Sequence, residues 1–378
     1  MNNDENGSLR GRRLRVLQLG KFYPPKRGGM ESHLKTLVDG LHSQIDIEVV
    51  VSNTGPRTVR ELCDGVPVTR IARLAQVKST SVNPSMVNAI RRCAADIVHL
   101  HWPNPMATLA YLVSGHRGRL VISYHSDVVR QRILSQIFGP VLHAVLQRSK
   151  AIIVSSSNYL ETSLVLRGYR KRCHVIPFGI SEKNFESPNL GAVQQIGSEY
   201  GNELVLTVGR LVDYKGFDHL IRVMVHTPGR LLIAGDGPLK RKLMALARSL
   251  NLCDRVVFLG ELSDEHLRSL YHASDIFVLA STNRREAFGI VQAEAMSASK
   301  PVINTDLDSG VPFVSLDGVT GLTIPHSDLD ALARAITRLM KDPSLRSDLG
   351  QAGRQRAENM FRAGTMSART LDLYLSVL

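Results

Sequence analysis

Short apolar, β-branched runs alternate with amphipathic stretches along nearly the whole chain. In the first half this pattern predicts strands at Leu14–Gly20, Ile45–Asn53, Val66–Arg73, Asp96–His101, Arg119–His125, Ala151–Ser156 and Cys173–Ile180. The second half repeats it at Leu204–Arg210, Arg230–Asp236, Val256–Leu262, Ile276–Ser281 and Pro301–Thr305. Runs such as VLQLG, LVLTVG and LLIAG are nearly continuous in apolar residues, as strands covered on both faces tend to be. Helical periodicity fills the gaps, for example over Glu31–His42, Met86–Ala94 and Val129–Ser149. Such alternation builds parallel sheets through right-handed crossovers, so the chain reads as a doubly wound α/β fold, twice over.

A seam separates the two halves. Residues 181–203 are polar, contain Pro and Gly, and are followed by a fresh apolar strand. They are read as a linker between domains at 1–180 and 204–364. Ligands of open α/β sheets bind beyond the carboxyl ends of the strands, and two such domains face to face would enclose a cleft.

Composition sharpens this picture. A chain of 378 residues, 43% hydrophobic, suffices for two separate cores. The four cysteines (Cys63, Cys93, Cys173, Cys253) lie far apart, which excludes a disulfide framework and a zinc ribbon. No run approaches the roughly 18 apolar residues of a membrane span, and the polar first residues lack a signal peptide's apolar region. A cytoplasmic location is expected. The net charge of +13 is lopsided: residues 1–180 hold 25 basic and 11 acidic side chains, and the remainder is nearly neutral. A basic first half attracts phosphate-bearing substrates, anionic lipid or nucleic acid, and with 5% aromatics nucleic acid is the least favoured.

Unusual residues cluster after strand ends. Gly28-Gly29 opens a helix after the first strand, where backbone amides and the helix terminus favour a phosphate. His99 and His101 share one face of their strand; without a third ligand nearby in sequence no metal site is assigned. The next strand ends in Tyr124-His125-Ser126-Asp127. In the second half Gly209-Arg210 ends a strand and Lys215-Gly216 opens a helix, so that two cations can converge on one diphosphate. The segment Ser281–Met296 carries Glu286 and Glu294 eight residues apart. Were the intervening residues helical, they would rise about 12 Å, spanning two points of an elongated ligand. The amides around Phe288-Gly289-Ile290 are available to an anion, and Glu294 to a diol.

Taken in order, these marks resemble the GT4 family of retaining glycosyltransferases of the GT-B fold. They are Gly28-Gly29-Met30-Glu31, Tyr124-His125-Ser126-Asp127, Gly209-Arg210 with Lys215-Gly216, Gly235-Asp236-Gly237-Pro238, Glu286 with Glu294, and Ser309-Gly310-Val311-Pro312. Phe178 stands where the family pattern often has Asn. The resemblance implies that Arg210 and Lys215 hold the donor diphosphate, close to Gly209. Glu286 and the backbone of Ala287, Phe288, Gly289 and Ile290 would meet the donor sugar, and Glu294 the ribose. Gly28 and Gly29 would approach the phosphate, and His125 the sugar. It further implies a nucleotide-sugar co-substrate without a metal or other cofactor, and a final helix near 365–378 that returns to the first domain.

A GDP-mannose-type donor is favoured, with UDP-sugars open, and the acceptor would be a glycan or a polyprenyl-diphosphate-linked sugar in surface polysaccharide synthesis. Basic clusters at Arg10–Arg15, His116–Arg119 and Arg167–Arg172 suggest peripheral contact with the anionic inner face of the plasma membrane, and the helix Val129–Lys150 is read first as core-facing and second as a membrane-surface contact. A sugar-nucleotide epimerase of the same architecture is the alternative enzyme, and a basic nucleic-acid-binding protein the alternative outside enzymes.

Overall fold

The computed structural model describes residues 12–26, 28–77, 80–127 and 132–378. In chain order the strands are β1 (Arg15–Leu19), β2 (Asp46–Ser52), β3 (Val59–Cys63), β4 (Val66–Ile71), β5 (Ala75–Val77), β6 (Thr80–Val82), β7 (Ile97–Trp102), β8 (Arg119–Tyr124), β9 (Ala151–Val154) and β10 (Cys173–Val175). They continue with β11 (Leu204–Val208), β12 (Arg230–Ala234), β13 (Val256–Gly260), β14 (Ile276–Leu279), β15 (Val302–Asp306) and β16 (Gly321–Pro325).

Two compact units result. The first contains the described residues through Ser155 with Ser163–Gly179 and Ala363–Leu378; the second contains Ser156–Thr162 and Ile180–Arg362. The first unit's sheet runs β10-β9-β8-β7-β1-β2-β4-β3, parallel except for the antiparallel edge strand β3. The second runs β13-β12-β11-β14-β15-β16, parallel throughout. In each the order reverses beside the first strand of the unit, which is the switch point where doubly wound sheets place ligands.

Each unit buries its own core. In the second, helix Leu329–Lys341 starts at Asp328, whose side chain accepts from Ala331 N–H at 2.8 Å, and it buries Leu332, Ala335, Ile336, Leu339 and Met340. Full burial of a side chain such as Leu339 stabilises by roughly 1.5–3 kcal/mol. In the first, helix Ala363–Ser376 turns Met366, Thr370, Leu373 and Tyr374 inward. It lies so close to helix Gly29–Leu41 that a Cβ on Gly40 would collide with Ser367.

Several expectations need correction. Residues 181–203 are not a linker: they form the 3-10 turn Glu182–Phe185 and helix Leu190–Tyr200, and they belong to the second unit with Phe185 and Ile196 buried. Their apolar positions are too sparse to show as periodicity, yet those two suffice for docking. The strand predicted over Cys173–Ile180 stops at Val175, where Pro177 interrupts amide donation, and Ile180 pairs instead with Arg362 in the second unit. Strand β3 escaped notice because both its faces are largely exposed, so VRELC has no apolar stripe. Helix Val129–Lys150 is described only from Arg132, and the side chains of 132–138 lie outside the described residues. Its later turns bury Leu142, Val145 and Leu146, as a core-facing helix does. Arg10 likewise lies outside the described residues.

Candidate active site

In the second unit the chemistry gathers at the carboxyl ends of β11 and β14. Gly216 sits at φ +68°, and a Cβ there would run into the Ala280 carbonyl, so only glycine lets the Lys215 turn approach the end of β14. Lys215 Nζ then lies 2.5 Å from Glu286 Oε2, with side-chain exposures of 12% and 11%. Ser281 Oγ donates to the same carboxylate oxygen at 3.3 Å. Burial opposes the Lys215 charge, but the facing Glu286 carboxylate and Tyr214 outweigh it and raise its pKa above the ordinary lysine value. Arg210 projects to the surface beyond Gly209. The Gly235–Pro238 turn supports that loop from behind, the Asp236 carbonyl accepting from Leu211 N–H at 2.9 Å. Arg285 braces the two loops, reaching both oxygens of Asp213 (3.1 and 2.8 Å) and lying 4.6 Å from the Tyr214 ring centre.

The segment between the two glutamates is mostly not helical. Helix Val291–Ser297 begins only after Ile290, and residues 286–290 form a loop, so the 12 Å rise expected of a continuous helix does not apply. Ala287 O accepts from Gly310 N–H at 2.7 Å, and Gln292 Nε2 donates to Phe288 O at 3.3 Å. The loop therefore hangs on backbone bonds to the Ser309-Gly310 turn. Ile290, just before the helix, supplies no side-chain cap to it.

Glu294 occupies the first turn of that helix and accepts a 2.7 Å hydrogen bond from Tyr271 Oη. Burial pushes its pKa up to about 7; the Tyr271 hydroxyl opposes the shift and Asp264 adds to it. Tyr271 went unnoticed in the sequence, since it falls within an ordinary helical pattern, and Ser281 was read only as the start of the segment that carries the two glutamates.

In the first unit, Gly28 and Gly29 are exposed at the start of helix Gly29–Leu41. A Cβ on Gly29 would meet nothing within 4 Å, whereas one on Gly28 would strike the Glu31 carboxylate folded back over it. His125, at the end of β8, is buried beside three other histidines. Its Nε2 lies 3.1 Å from His101 Nδ1, and its Nδ1 has no partner. His33 is buried too, with neither ring nitrogen bonded, and burial lowers its pKa to about 4. His99 is lowered to about 3, and His101 and His125 well below the ordinary histidine value, burial being the main cause each time. All four are neutral at physiological pH. Phe178 packs 4.4 Å from the His33 ring and 5.3 Å from that of His125. His33, His101 and His125 bring nitrogens within 4.8 Å of one another, a spacing that could hold an ion. An ion between His101 and His125 would have to replace the proton they already share. One signal for this cluster was legible: Gln18 interrupts an otherwise apolar, doubly covered strand.

The basic clusters divide on inspection. Arg12 pairs with Asp96 at 2.6 Å, Arg13 with Asp46 at 3.7 Å, and Arg15 with Asp96 at 4.0 Å. His116 is buried, its Nε2 2.9 Å from the Cys93 carbonyl. Arg167, Arg170 and Lys171 are exposed, next to Leu164 at 70% exposure. No helix among the described residues is long and apolar enough to cross a membrane.

Comparison with known proteins completes the picture. Residues 27–183 match the family described as Glycosyltransferase Family 4, and residues 192–356 the family described as Glycosyl transferases group 1. D-rhamnosyltransferase WbpZ of Pseudomonas aeruginosa is 31% identical over 354 residues, 93% of each chain. The O-antigen chain mannosyltransferase C of Escherichia coli is 29% identical across 97% of this chain and 99% of its own. Among solved structures, sucrose-phosphate synthase from Thermosynechococcus elongatus superposes with a TM-score of 0.80 at 24% identity, covering 97% of this chain and 99% of that one. Identity above 30% along nearly the full length, with both units matched to glycosyltransferase families, places this protein among the GT4-type group 1 glycosyltransferases, as a hexosyltransferase built on the GT-B fold.

Proposed function

We propose that the protein moves a manno-configured hexose from a GDP-linked donor to a glycan or polyprenyl-diphosphate-linked acceptor in surface polysaccharide synthesis, with retention at the anomeric carbon. The observation that carries this reading is the buried Lys215–Glu286 pair at the ends of β11 and β14. An ammonium held by a carboxylate at a strand terminus is a preorganised charge, and preorganised charge aimed at a leaving group is the largest single contribution in most transfer reactions. Arg210 and Lys215 bind the diphosphate and stabilise the negative charge that develops on it. Glu286 accepts hydrogen bonds from the hexose hydroxyls, the amides from Ala287 to Ile290 face the donor, and Glu294 accepts from the ribose diol. In the first unit Gly28 and Gly29 offer amides to phosphate, and His125 meets the hexose. The acceptor oxygen bonds to the anomeric carbon on the face from which the phosphate oxygen departs, and its proton passes to that phosphate. No metal takes part in this scheme. The relatives' names, a D-rhamnosyltransferase and an O-antigen mannosyltransferase, support the manno configuration and the polysaccharide context.

Thermal-shift titration with GDP-, UDP-, ADP- and dTDP-hexoses tests the donor, since a ligand selective for the folded state raises the melting point by mass action. Stabilisation by a UDP-hexose but not GDP-mannose overturns the base assignment. Product analysis with donor alone separates transfer from epimerisation. Peripheral membrane contact belongs to the same proposal and rests on Leu164 with Arg167, Arg170 and Lys171; charge reversal of those three cations should release the protein from anionic vesicles.

A further inference from the structure

Ser123, His99, Tyr374, Gln18, His101 and His125, all buried in the first unit, form one continuous hydrogen-bonded chain whose proton positions follow from its chemistry. Gln18 Nε2 donates to Tyr374 Oη at 3.0 Å, so Gln18 Oε1, 2.9 Å from His101 Nε2, is the acceptor there. His101 is therefore protonated on Nε2, and its Nδ1 is a bare lone pair. That lone pair sits 3.1 Å from His125 Nε2, with the two rings 14° from parallel and their centres 5.3 Å apart. Rings so disposed meet edge to edge, and His125 must donate from Nε2. Its Nδ1 is then also bare, buried and without a partner. At the other end, Tyr374 gives its hydroxyl proton to His99 Nδ1 at 2.5 Å, and His99 Nε2 donates to Ser123 Oγ at 2.8 Å. Each neutral imidazole has one donor and one acceptor, so fixing any one member fixes all of them.

We propose that Gln18 and Tyr374 are positioning residues that hold His125 as the Nε2–H tautomer, so that its Nδ1 presents a lone pair to a hydroxyl of the donor hexose. The inference rests on the reading that the hexose reaches His125; the tautomer itself does not. A bare nitrogen accepts from a hydroxyl and rejects a group that can only accept, because two facing lone pairs in a buried place leave both unsatisfied. The last helix of the chain thereby takes part in sugar recognition through Tyr374, which no short motif near His125 discloses. His33 and Phe178 stand against the same ring, and neither ring nitrogen of His33 is hydrogen-bonded.

Selective 15N-histidine labelling with long-range proton–nitrogen NMR tests the tautomer directly, with His125→Asn for assignment. His125 and His101 should both appear protonated on Nε2 in the full-length protein. Tyr374→Phe and Gln18→Met should mix the His125 tautomers and raise the donor KM about tenfold, the loss expected for one hydrogen bond to a buried group, with a smaller change in kcat. Melting curves identify a variant that merely unfolds, and either variant alone serves if the other does. Direct binding of 2-, 3-, 4- and 6-position deoxy and deoxyfluoro donor analogues reads the polarity: at the position facing His125, fluorine should bind no better than hydrogen. A wild-type His125 protonated on Nδ1, an unchanged His125 spectrum in both folded variants, or a fluoro analogue that restores binding overturns the proposal. So does Zn2+ shifting His33, His101 and His125 together at stoichiometric concentration, which would assign the cluster to an ion. A correct tautomer whose signal ignores bound nucleotide sugar overturns instead the placement of the hexose at His125.

Discussion

Glu294→Gln should make the second unit more stable at pH 8 while weakening the donor, two opposite effects from one proton. Burial raises the Glu294 pKa from 4.5 to about 7, opposed by Tyr271 and aided by Asp264. Because the folded value lies above the unfolded one, the folded chain keeps a proton between these values that the unfolded chain has released. Stability therefore falls as pH rises through that window, and the whole cost is present above pH 7. Converted at 1.36 kcal/mol per unit, it reaches at most about 3 kcal/mol, reduced by the residue's partial contact with solvent. Glutamine keeps an oxygen for the Tyr271 hydroxyl and removes the charge. Its melting point at pH 8 should exceed wild type by roughly 2–4 °C for each kcal/mol relieved, and the difference should shrink toward pH 4.5. A ribose diol, in contrast, wants the carboxylate. Wild-type affinity for a nucleotide sugar, whose diphosphate diester does not titrate here, should weaken about tenfold from pH 8 to pH 6 as Glu294 protonates. Calorimetric titration at half-unit pH steps reads this, and Glu294→Gln should show a weak, flat profile. A wild-type affinity constant from pH 6 to 8, or a glutamine variant less stable than wild type at pH 8, refutes the reasoning.

The other predictions concern the neighbouring loops. Lys215→Ala leaves the Glu286 carboxylate buried and uncompensated, so it should cost about 3–5 kcal/mol in denaturant unfolding and about a hundredfold or more in kcat. Arg210→Ala, at an exposed position, should lose comparable activity with stability unchanged within about 0.5 kcal/mol, separating charge at the leaving group from support of the fold. Gly216→Ala puts a Cβ against the Ala280 carbonyl at positive φ, and a loss of more than about 2 kcal/mol in urea unfolding should accompany reduced activity.

What the sequence disclosed and what it hid divide along physical lines. Parallel, doubly covered strands such as β11 (LVLTV) and β12 (RLLIA) are nearly all apolar, so their runs stand out, and residues just past their ends mark candidate ligand positions by topology alone. Arg210, Lys215 and Glu286 stood out for that reason, and the structure pairs the last two. Tyr271 and Tyr374 did not, because each acts by reaching another element: Tyr271 crosses 23 positions to Glu294, and Tyr374 crosses 356 to Gln18. Residues 181–203 misled for a related reason, since a short helix docked through few apolar side chains is locally indistinguishable from a polar connector.

The charge asymmetry misled more instructively. Most of the positive excess lies in the first half, yet many of its arginines are bound to the fold itself. Arg70 reaches Glu61 and the Tyr23 and Pro24 carbonyls. Arg172 closes the carbonyls of Leu146, Gln147 and Ser149 at a helix end, and Arg91 holds Ser114 O. A guanidinium has five donors and no acceptor, which suits it to collecting carbonyl oxygens as well as phosphates, and a count of charges cannot tell the two uses apart. The nearly neutral second half holds the buried Lys215–Glu286 pair, whose charges cancel in any sum. What distinguishes the buried cations and carboxylates is desolvation, which a sequence carries only through the apolar strands on either side. In the first unit, the same desolvation holds four histidines below the ordinary imidazole pKa, so that it is the direction of their hydrogen bonds that distinguishes them. A polar residue within an otherwise apolar, buried strand, as Gln18 is, therefore points to a buried hydrogen-bonded network, which a surplus of arginine does not.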